Sequence, residues 1–219
     1  WSRRWPPVAN KDKAPFVIGL TGAIGMGKSQ TARLFAEEGV PVFDADAAIH
    51  ALYAAQAAPM IEAAFPGSTR GGAVDRAALA KMVTADPGAL QRLESLMHPL
   101  VADLRTRFLA DNPAPIVLLD IPLLLETGVA VDAVVVASAP QHIQRRRVLA
   151  RPGMTEARLA ALSARQLSDA QKRAQAHYVV ITDKGLDHAR EQVKMILADI
   201  RVKLAAFARA RAAKENPHA

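Results

Sequence analysis

Residues Gly19-Leu20-Thr21-Gly22-Ala23-Ile24-Gly25-Met26-Gly27-Lys28-Ser29 have the composition of an anion cradle. Within them, Gly22-x4-Gly27-Lys28-Ser29 has the P-loop spacing. Glycines let consecutive backbone N–H groups curl around an anion, and a helix starting at the loop's end adds its positive dipole pole. A lysine at position 28 can reach the β- and γ-phosphates, and the Ser29 hydroxyl suits Mg²⁺. Gly25, Met26, Gly27, Lys28, Ser29 and Gln30 are therefore the candidate nucleotide-binding set. The spacing predicts a site for a nucleoside triphosphate with its magnesium ion.

Other groups could complete such a site. Asp44 and Asp46 close the apolar run Val40-Pro41-Val42-Phe43, and carboxylates at strand ends suit metal or proton work. One of them could equally cap the next helix, which the pattern starts near Ala47, and both readings can hold together. If the strand persisted that far, the two acids would point to opposite faces. Ile116-Val117-Leu118-Leu119 ends in Asp120, a candidate magnesium ligand, although an apolar run ending in Asp is a weak signal alone. Arg147 and Arg151 share a face if a helix runs that far. One arginine could stack on a purine while the other clamps phosphate; the alternative is a solvated basic face.

The elements that must position these groups follow from hydrophobic spacing. Phe16-Val17-Ile18, Val40–Phe43, Ile116–Leu119, Ala133–Ala137 and His177–Ile181 read as buried strands. Helical stretches between them imply parallel βαβ units. Gln30–Glu38 reads as an amphipathic helix with Gly39 at its end. Residues 47–110 read as a block of several helices, with Asp75 as an N-cap, Asp86-Pro87 opening another helix and His98-Pro99 interrupting the run from Ala89 to Leu109. Arg158–Ala174 reads as a polar helical hairpin suited to a mobile lid, and Asp187 starts a long terminal helix with a fraying basic end.

Composition bounds the rest. The 219 residues can bury one sizeable core without staples. With no cysteine, disulfides and thiolate metal sites are excluded, which fits a reducing, cytoplasmic setting. The whole formal excess of +7 sits in the ends: Arg3, Arg4, Lys11 and Lys13 against Asp12, and Arg201, Lys203, Arg209, Arg211 and Lys214 against Glu215. A neutral body does not support a nucleic-acid face, so no nucleic-acid partner is expected. Apolar runs fall short of a membrane span. Residues 1–14, which begin without Met and lack a signal-peptide apolar region, are expected to be a disordered extension.

With these residues in view, the chain resembles the dephospho-coenzyme A kinases from about Val17 to Val193. The similarity rests on Leu-Thr-Gly-x-Ile-Gly-x-Gly-Lys-Ser at 20–29, Gly-Val-Pro-Val-x-Asp-Ala-Asp at 39–46, and Val-Asp-Arg at 74–76. It continues through Asp86-Pro87, Leu93-Glu94, His98-Pro99, Pro122-Leu123-Leu124 with Glu126, Arg147, Arg151, Arg165-Gln166, Lys172 and Tyr178-Val179. The resemblance implies a P-loop NTPase-type three-layer α/β/α fold with a parallel sheet, a helical insert and a lid. Residues 15–46, 111–150 and 176–200 would form the nucleotide-binding core, 47–110 the coenzyme A domain, 151–175 the lid, and 201–219 a basic tail. It implies transfer of the ATP γ-phosphoryl group to the 3′-hydroxyl of dephospho-coenzyme A. Asp46 would be the general base, with Thr21 beside the reacting groups. Lys28 and Arg147 would stabilise the moving charge, and Arg151 would close from the lid side. Departures from the family pattern are Gln30, His50, His177 and Thr182. A nucleoside monophosphate kinase fits less well, because of the helical insert and Asp-Ala-Asp. A regulatory GTPase fits poorly, because no Asn-Lys-x-Asp element is present.

Overall fold

A computed structural model describes residues 14–215. The expected disorder of residues 1–14 concerns a segment that, but for Ala14, lies outside them.

Five parallel strands form the central sheet: β1 (Phe16–Thr21), β2 (Val42–Asp44), β5 (Ile116–Asp120), β6 (Ala133–Ser138) and β7 (Tyr178–Ile181), in the order β2-β5-β1-β6-β7. Helices cover both faces, so alternate residues of each strand enter different cores and the strands read as unbroken apolar runs. Phe16, Ile18 and Leu20 of β1 pack with Leu34 and Phe35 of α1 (Lys28–Glu37) and with Val193, Leu197 and Ile200 of α10 (Leu186–Glu215). Val17 instead joins Phe43, Val117 and Leu119, against Leu104 and Phe108 of α5 (Ala89–Asp111). Behind β6 lies a smaller cluster of Val134, Val136 and Leu124, the last from α6 (Leu124–Thr127).

A helical block stands between β2 and β5: α2 (Ala45–Ala54), α3 (Ala58–Ala64), α4 (Arg76–Ala85) and α5, with a hairpin of β3 (Thr69–Arg70) and β4 (Ala73–Val74). It has its own core of Leu52, Ile61, Phe65, Leu79 and Met97. Asp75 caps α4 as expected, accepting from the N–H groups of Ala77 and Ala78. Helix α5 differs from the sequence reading in two respects. Helix α5 starts at Ala89, after a turn in which Asp86 accepts from the Gly88 N–H, rather than at Pro87. It also runs unbroken through His98-Pro99. Pro99 removes one helical bond, but it is exposed, so the freed carbonyl four residues back can meet water. Met97 and Leu100 on either side keep both halves packed in one core.

After β6 come α7 (Gln141–Leu149), α8 (Glu156–Ser163) and α9 (Asp169–Gln175). Helix α8 buries no residue, whereas α9 is tied to the sheet through fully buried Lys172. Helix α10 continues through 201–215, where the sequence suggested a fraying tail.

Candidate active site

The carboxyl ends of the strands gather most of the candidate groups. Asp44 and Asp120 are register partners on β2 and β5, and Asp120 is likewise opposite Leu20, next to Thr21. One row across three strands therefore holds Leu20, Asp120 and Asp44, with Thr21 one residue further along β1.

The loop leaving β1 turns on two left-handed glycines, Gly25 (φ 78°) and Gly27 (φ 91°). Both also lack room for a side chain. A Cβ on Gly25 would lie 2.5 Å from Val148 Cγ2, and one on Gly27 would lie 2.9 Å from Thr182 Oγ1. Helix α1 opens at Lys28, and its first bond runs from the Thr31 N–H to the Gly27 carbonyl. The N–H groups of Lys28, Ser29 and Gln30 thus precede the helical ladder and are available to an anion. The Ser29 and Gln30 side chains are exposed. Met26 is different. Its N–H is committed to the Ala23 carbonyl at 3.1 Å, and its sulfur accepts from the Ala139 N–H at 3.3 Å, so it anchors the loop's base.

Lys28 Nζ lies 2.7 Å from Asp120 Oδ1, with the Asp120 side chain only 3% exposed. Burial pushes the Asp120 carboxyl above its usual range; Lys28 pulls it back, and the charges of Asp44 and Asp46 push it up again. Asp44 and Asp46 thus add to the cost of ionising Asp120, which a hard cation or the Lys28 ammonium relieves. Among the described residues, no three acids or histidines stand close enough to hold a metal by themselves. A magnesium ion here would need phosphate oxygens and water to complete its shell, as that ion commonly does.

The two acids after β2 are distinguished by what they touch. Asp44 is the N-cap of α2, its Oδ1 accepting from the Ala47 N–H at 3.0 Å. Helix α2 therefore begins at Ala45, two residues earlier than the pattern suggested, and Asp46 sits in its first turn rather than on a strand. The Asp46 side chain is exposed and takes no hydrogen bond or ion pair among the described residues.

Arg147 and Arg151 meet on another flank, around a cavity of about 610 Å³ lined also by Gly27, Gln30, Leu34 and Ala189. Arg147 is held fast. It donates to the Thr182 hydroxyl at 2.9 Å, to the Thr182 carbonyl at 2.6 Å and to the Gly25 carbonyl at 3.4 Å. Thr182, one of the departures from the family pattern, reaches the Met26 carbonyl at 2.8 Å through its hydroxyl. It thereby joins the loop, β7 and α7. His177, another departure, accepts the Val134 N–H at 3.0 Å and extends the β6–β7 pairing.

Sequence reasoning gave no role to the buried pair behind Thr21. Lys172 Nζ bonds Glu126 at 2.7 and 3.0 Å and lies 3.3 Å from both Thr21 Oγ1 and the Pro122 carbonyl. Thr21 itself is fully buried and donates to the Pro122 carbonyl at 2.8 Å. Burial raises the Glu126 carboxyl, but Lys172 and the Leu167 N–H outweigh it and hold the group below the usual range. Glu126 and Lys172 figured in the sequence only as members of the family-like pattern; nothing local marked Lys172 as buried in a polar helix.

The family model for dephospho-CoA kinase matches residues 16–188, from β1 into α10. The chain belongs to the dephospho-CoA kinase family. Its similarity extends well beyond the loop: a dephospho-CoA kinase of Bradyrhizobium diazoefficiens is 55% identical over 189 residues, 84% of this chain and 95% of that one. One from Rhodopseudomonas palustris strain BisB18 is 54% identical, over 83% and 94% of the two chains. Among solved structures, TT1252 from Thermus thermophilus superposes with a TM-score of 0.76 at 36% identity, covering 85% of this chain and 98% of that one. A dephospho-CoA kinase from Campylobacter jejuni shares the fold, with a TM-score of 0.60 at 19% identity over 84% and 96% of the chains.

Proposed function

We infer that this chain transfers the γ-phosphoryl group of ATP to the 3′-hydroxyl of dephospho-coenzyme A, giving coenzyme A and ADP. The observation that carries the reading is the unpartnered Asp46 carboxylate beside the Lys28–Asp120 pair, in a chain of this family.

The loop amides of Lys28, Ser29 and Gln30 receive phosphate oxygens, and Lys28 follows the charge that develops as the phosphoryl group moves. Asp46 takes the proton of the acceptor hydroxyl as its oxygen bonds to phosphorus and the bond to the ADP oxygen breaks. Asp44 is already engaged at the helix cap, which leaves Asp46 as the free base. Ser29 and Asp120 would hold magnesium, which when bound neutralises charge on the phosphate oxygens. Thr21, buried and bonded to Pro122, supports the loop from behind rather than touching substrate. Arg147 fixes the nucleotide flank through Thr182 and Gly25, and Arg151 is free to meet the nucleotide.

The helical block of 47–110 is the acceptor domain in this reading. The lid is narrower than residues 151–175, because Lys172 ties α9 to the core while α8 buries nothing. Among the described residues, no helix is long and apolar enough to cross a membrane, in keeping with two water-soluble substrates and a cytoplasmic setting.

A coupled assay of ADP release with dephospho-coenzyme A, adenosine and nucleoside monophosphates tests the reading. Turnover should require dephospho-coenzyme A. Preference for a monophosphate would replace the acceptor assignment.

A further inference from the structure

The crest of the phosphate loop is gripped at one residue, Ile24, by two glutamines from different elements. The Ile24 N–H donates to Gln166 Oε1 at 3.1 Å, and Gln144 Nε2 donates to the Ile24 carbonyl at 2.9 Å. An N–H can only donate and a carbonyl only accept, so the chemistry fixes which way each side-chain amide faces. Gln144 belongs to α7, which leads out to the α8–α9 hairpin; Gln166 lies where the chain returns from α8.

Gln166 occupies a boundary in that returning limb. The residues that follow it are stitched to the body. The Leu167 N–H bonds Glu126 at 2.8 Å, and Asp169 accepts from the Ser138 hydroxyl at 2.8 Å. The residues before it are held more lightly: α8 buries nothing, and it is tied to α7 through the exposed Arg145–Glu156 ion pair. Any swing of α8 therefore turns about the segment from Ser163 to Gln166. A cavity of about 880 Å³ lies alongside, lined in part by Ala23, Met26, Gln144, Ser163, Gln166 and Asp169, and gives that turn room to shift. Moving it withdraws Oε1 from Ile24 and releases the adjoining peptide of the loop. Ile24 neighbours Gly25, whose left-handed backbone leans against Val148 with no space for a Cβ.

We propose that Gln166 is a positioning residue that couples α8 to the phosphate loop, so that the position of α8 sets the loop's readiness for nucleotide. The proposal rests on the ATP reading of that loop. Gln166 touches the loop backbone, not the reacting atoms, and its contribution is one acceptor to the Ile24 N–H. A neutral hydrogen bond of this kind corresponds to about a 2- to 12-fold change in an equilibrium.

The test uses the full chain with Gln166→Leu, which keeps bulk and removes the acceptor, and Gln166→Glu, which keeps an acceptor. The readouts are ADP binding by calorimetry, amide hydrogen exchange and melting temperature, none of which needs an acceptor substrate. In ligand-free protein the Ile24 amide should be protected in the native and Glu forms and exchange about tenfold faster in the Leu form. ADP affinity should fall about 2- to 12-fold in the Leu form, with a melting temperature lower by no more than about 6 °C and little changed in the Glu form. ADP should alter exchange across α8 in the native protein but not in the Leu variant. Unchanged Ile24 exchange or unchanged ADP affinity in the Leu variant would overturn the coupling. So would an equal fall in melting temperature in both variants, which would make the contact merely structural. If the native chain bound no ADP, the nucleotide reading itself would fail first, and this proposal with it.

Discussion

Replacing Lys172 by Met keeps the apolar stem of the side chain and deletes its charged end, which makes it a clean probe of the buried pair behind Thr21. Lys172 is 0% exposed and Glu126 only 18%, so the substitution leaves a carboxylate in a mostly dry site with the Leu167 N–H as its remaining donor. Breaking a fully buried pair from one side costs about 3–5 kcal/mol. Glu126 keeps some contact with water and one N–H, so about 3 kcal/mol is expected, the low end of that range. For a chain of this size that corresponds to a melting temperature lower by about 6–12 °C. Thermal and urea unfolding would measure it, together with Glu126→Gln and the double variant. With the carboxylate also neutralised, Lys172→Met/Glu126→Gln should regain most of the loss. A single-variant loss below about 1 kcal/mol, the size of an exposed ion pair, would refute the burial argument. Additive losses in the double variant would refute the pairing.

Further outcomes follow from the site. Lys28→Ala should abolish turnover in the ADP-release assay, since it removes the charge that follows the phosphoryl group, and near-normal kcat would place catalysis elsewhere. Asp44→Ala should lower stability by about 1 kcal/mol in urea unfolding through loss of the α2 cap, while Asp44→Asn, which can still cap, should hold it. Acid should weaken the α9 attachment. The Glu126 carboxyl is held below its usual value, so its contribution is present above the unfolded pKa and fades as pH falls through the lower folded one. Hydrogen exchange in α9 should therefore rise below about pH 4 in the native chain but vary less with pH in Glu126→Gln.

Much of the fold was legible because its signals are local and repeated. Five apolar runs announced a sheet buried on both faces, and glycine spacing announced the loop between β1 and α1. Asp75 was legible as a cap because capping needs only its own neighbours. Pro99 misled, since proline in isolation predicts a break. Its exposure lets water meet the freed carbonyl, and packing on both sides holds α5 straight. The site was half legible. Lys28, Ser29 and Asp120 lie in or at the ends of patterns, whereas Lys172, Gln144, Gln166 and the Thr182 link are joined only by long-range contacts. A buried lysine in a polar helix has no one-dimensional signature, because its partner Glu126 lies 46 residues away in sequence. Residue type and spacing did not separate Asp44 from Asp46, and only the family resemblance pointed to Asp46. The start of α2 gives the cap to Asp44 and leaves the Asp46 side chain without a partner among the described residues.

That distinction is the centre of the account, and one comparison tests it most directly: kcat and ATP affinity for Asp46→Asn beside Asp44→Asn, with dephospho-coenzyme A as acceptor. Asp46→Asn keeps the shape and removes the basicity, so kcat should fall by about 10²–10⁴, the usual range for a general base. ATP affinity should change little, because Lys28 and the loop amides are untouched. Asp44→Asn, still able to cap α2, should lose far less. The opposite order, with Asp46→Asn active and Asp44→Asn dead, would contradict the assignment of the base.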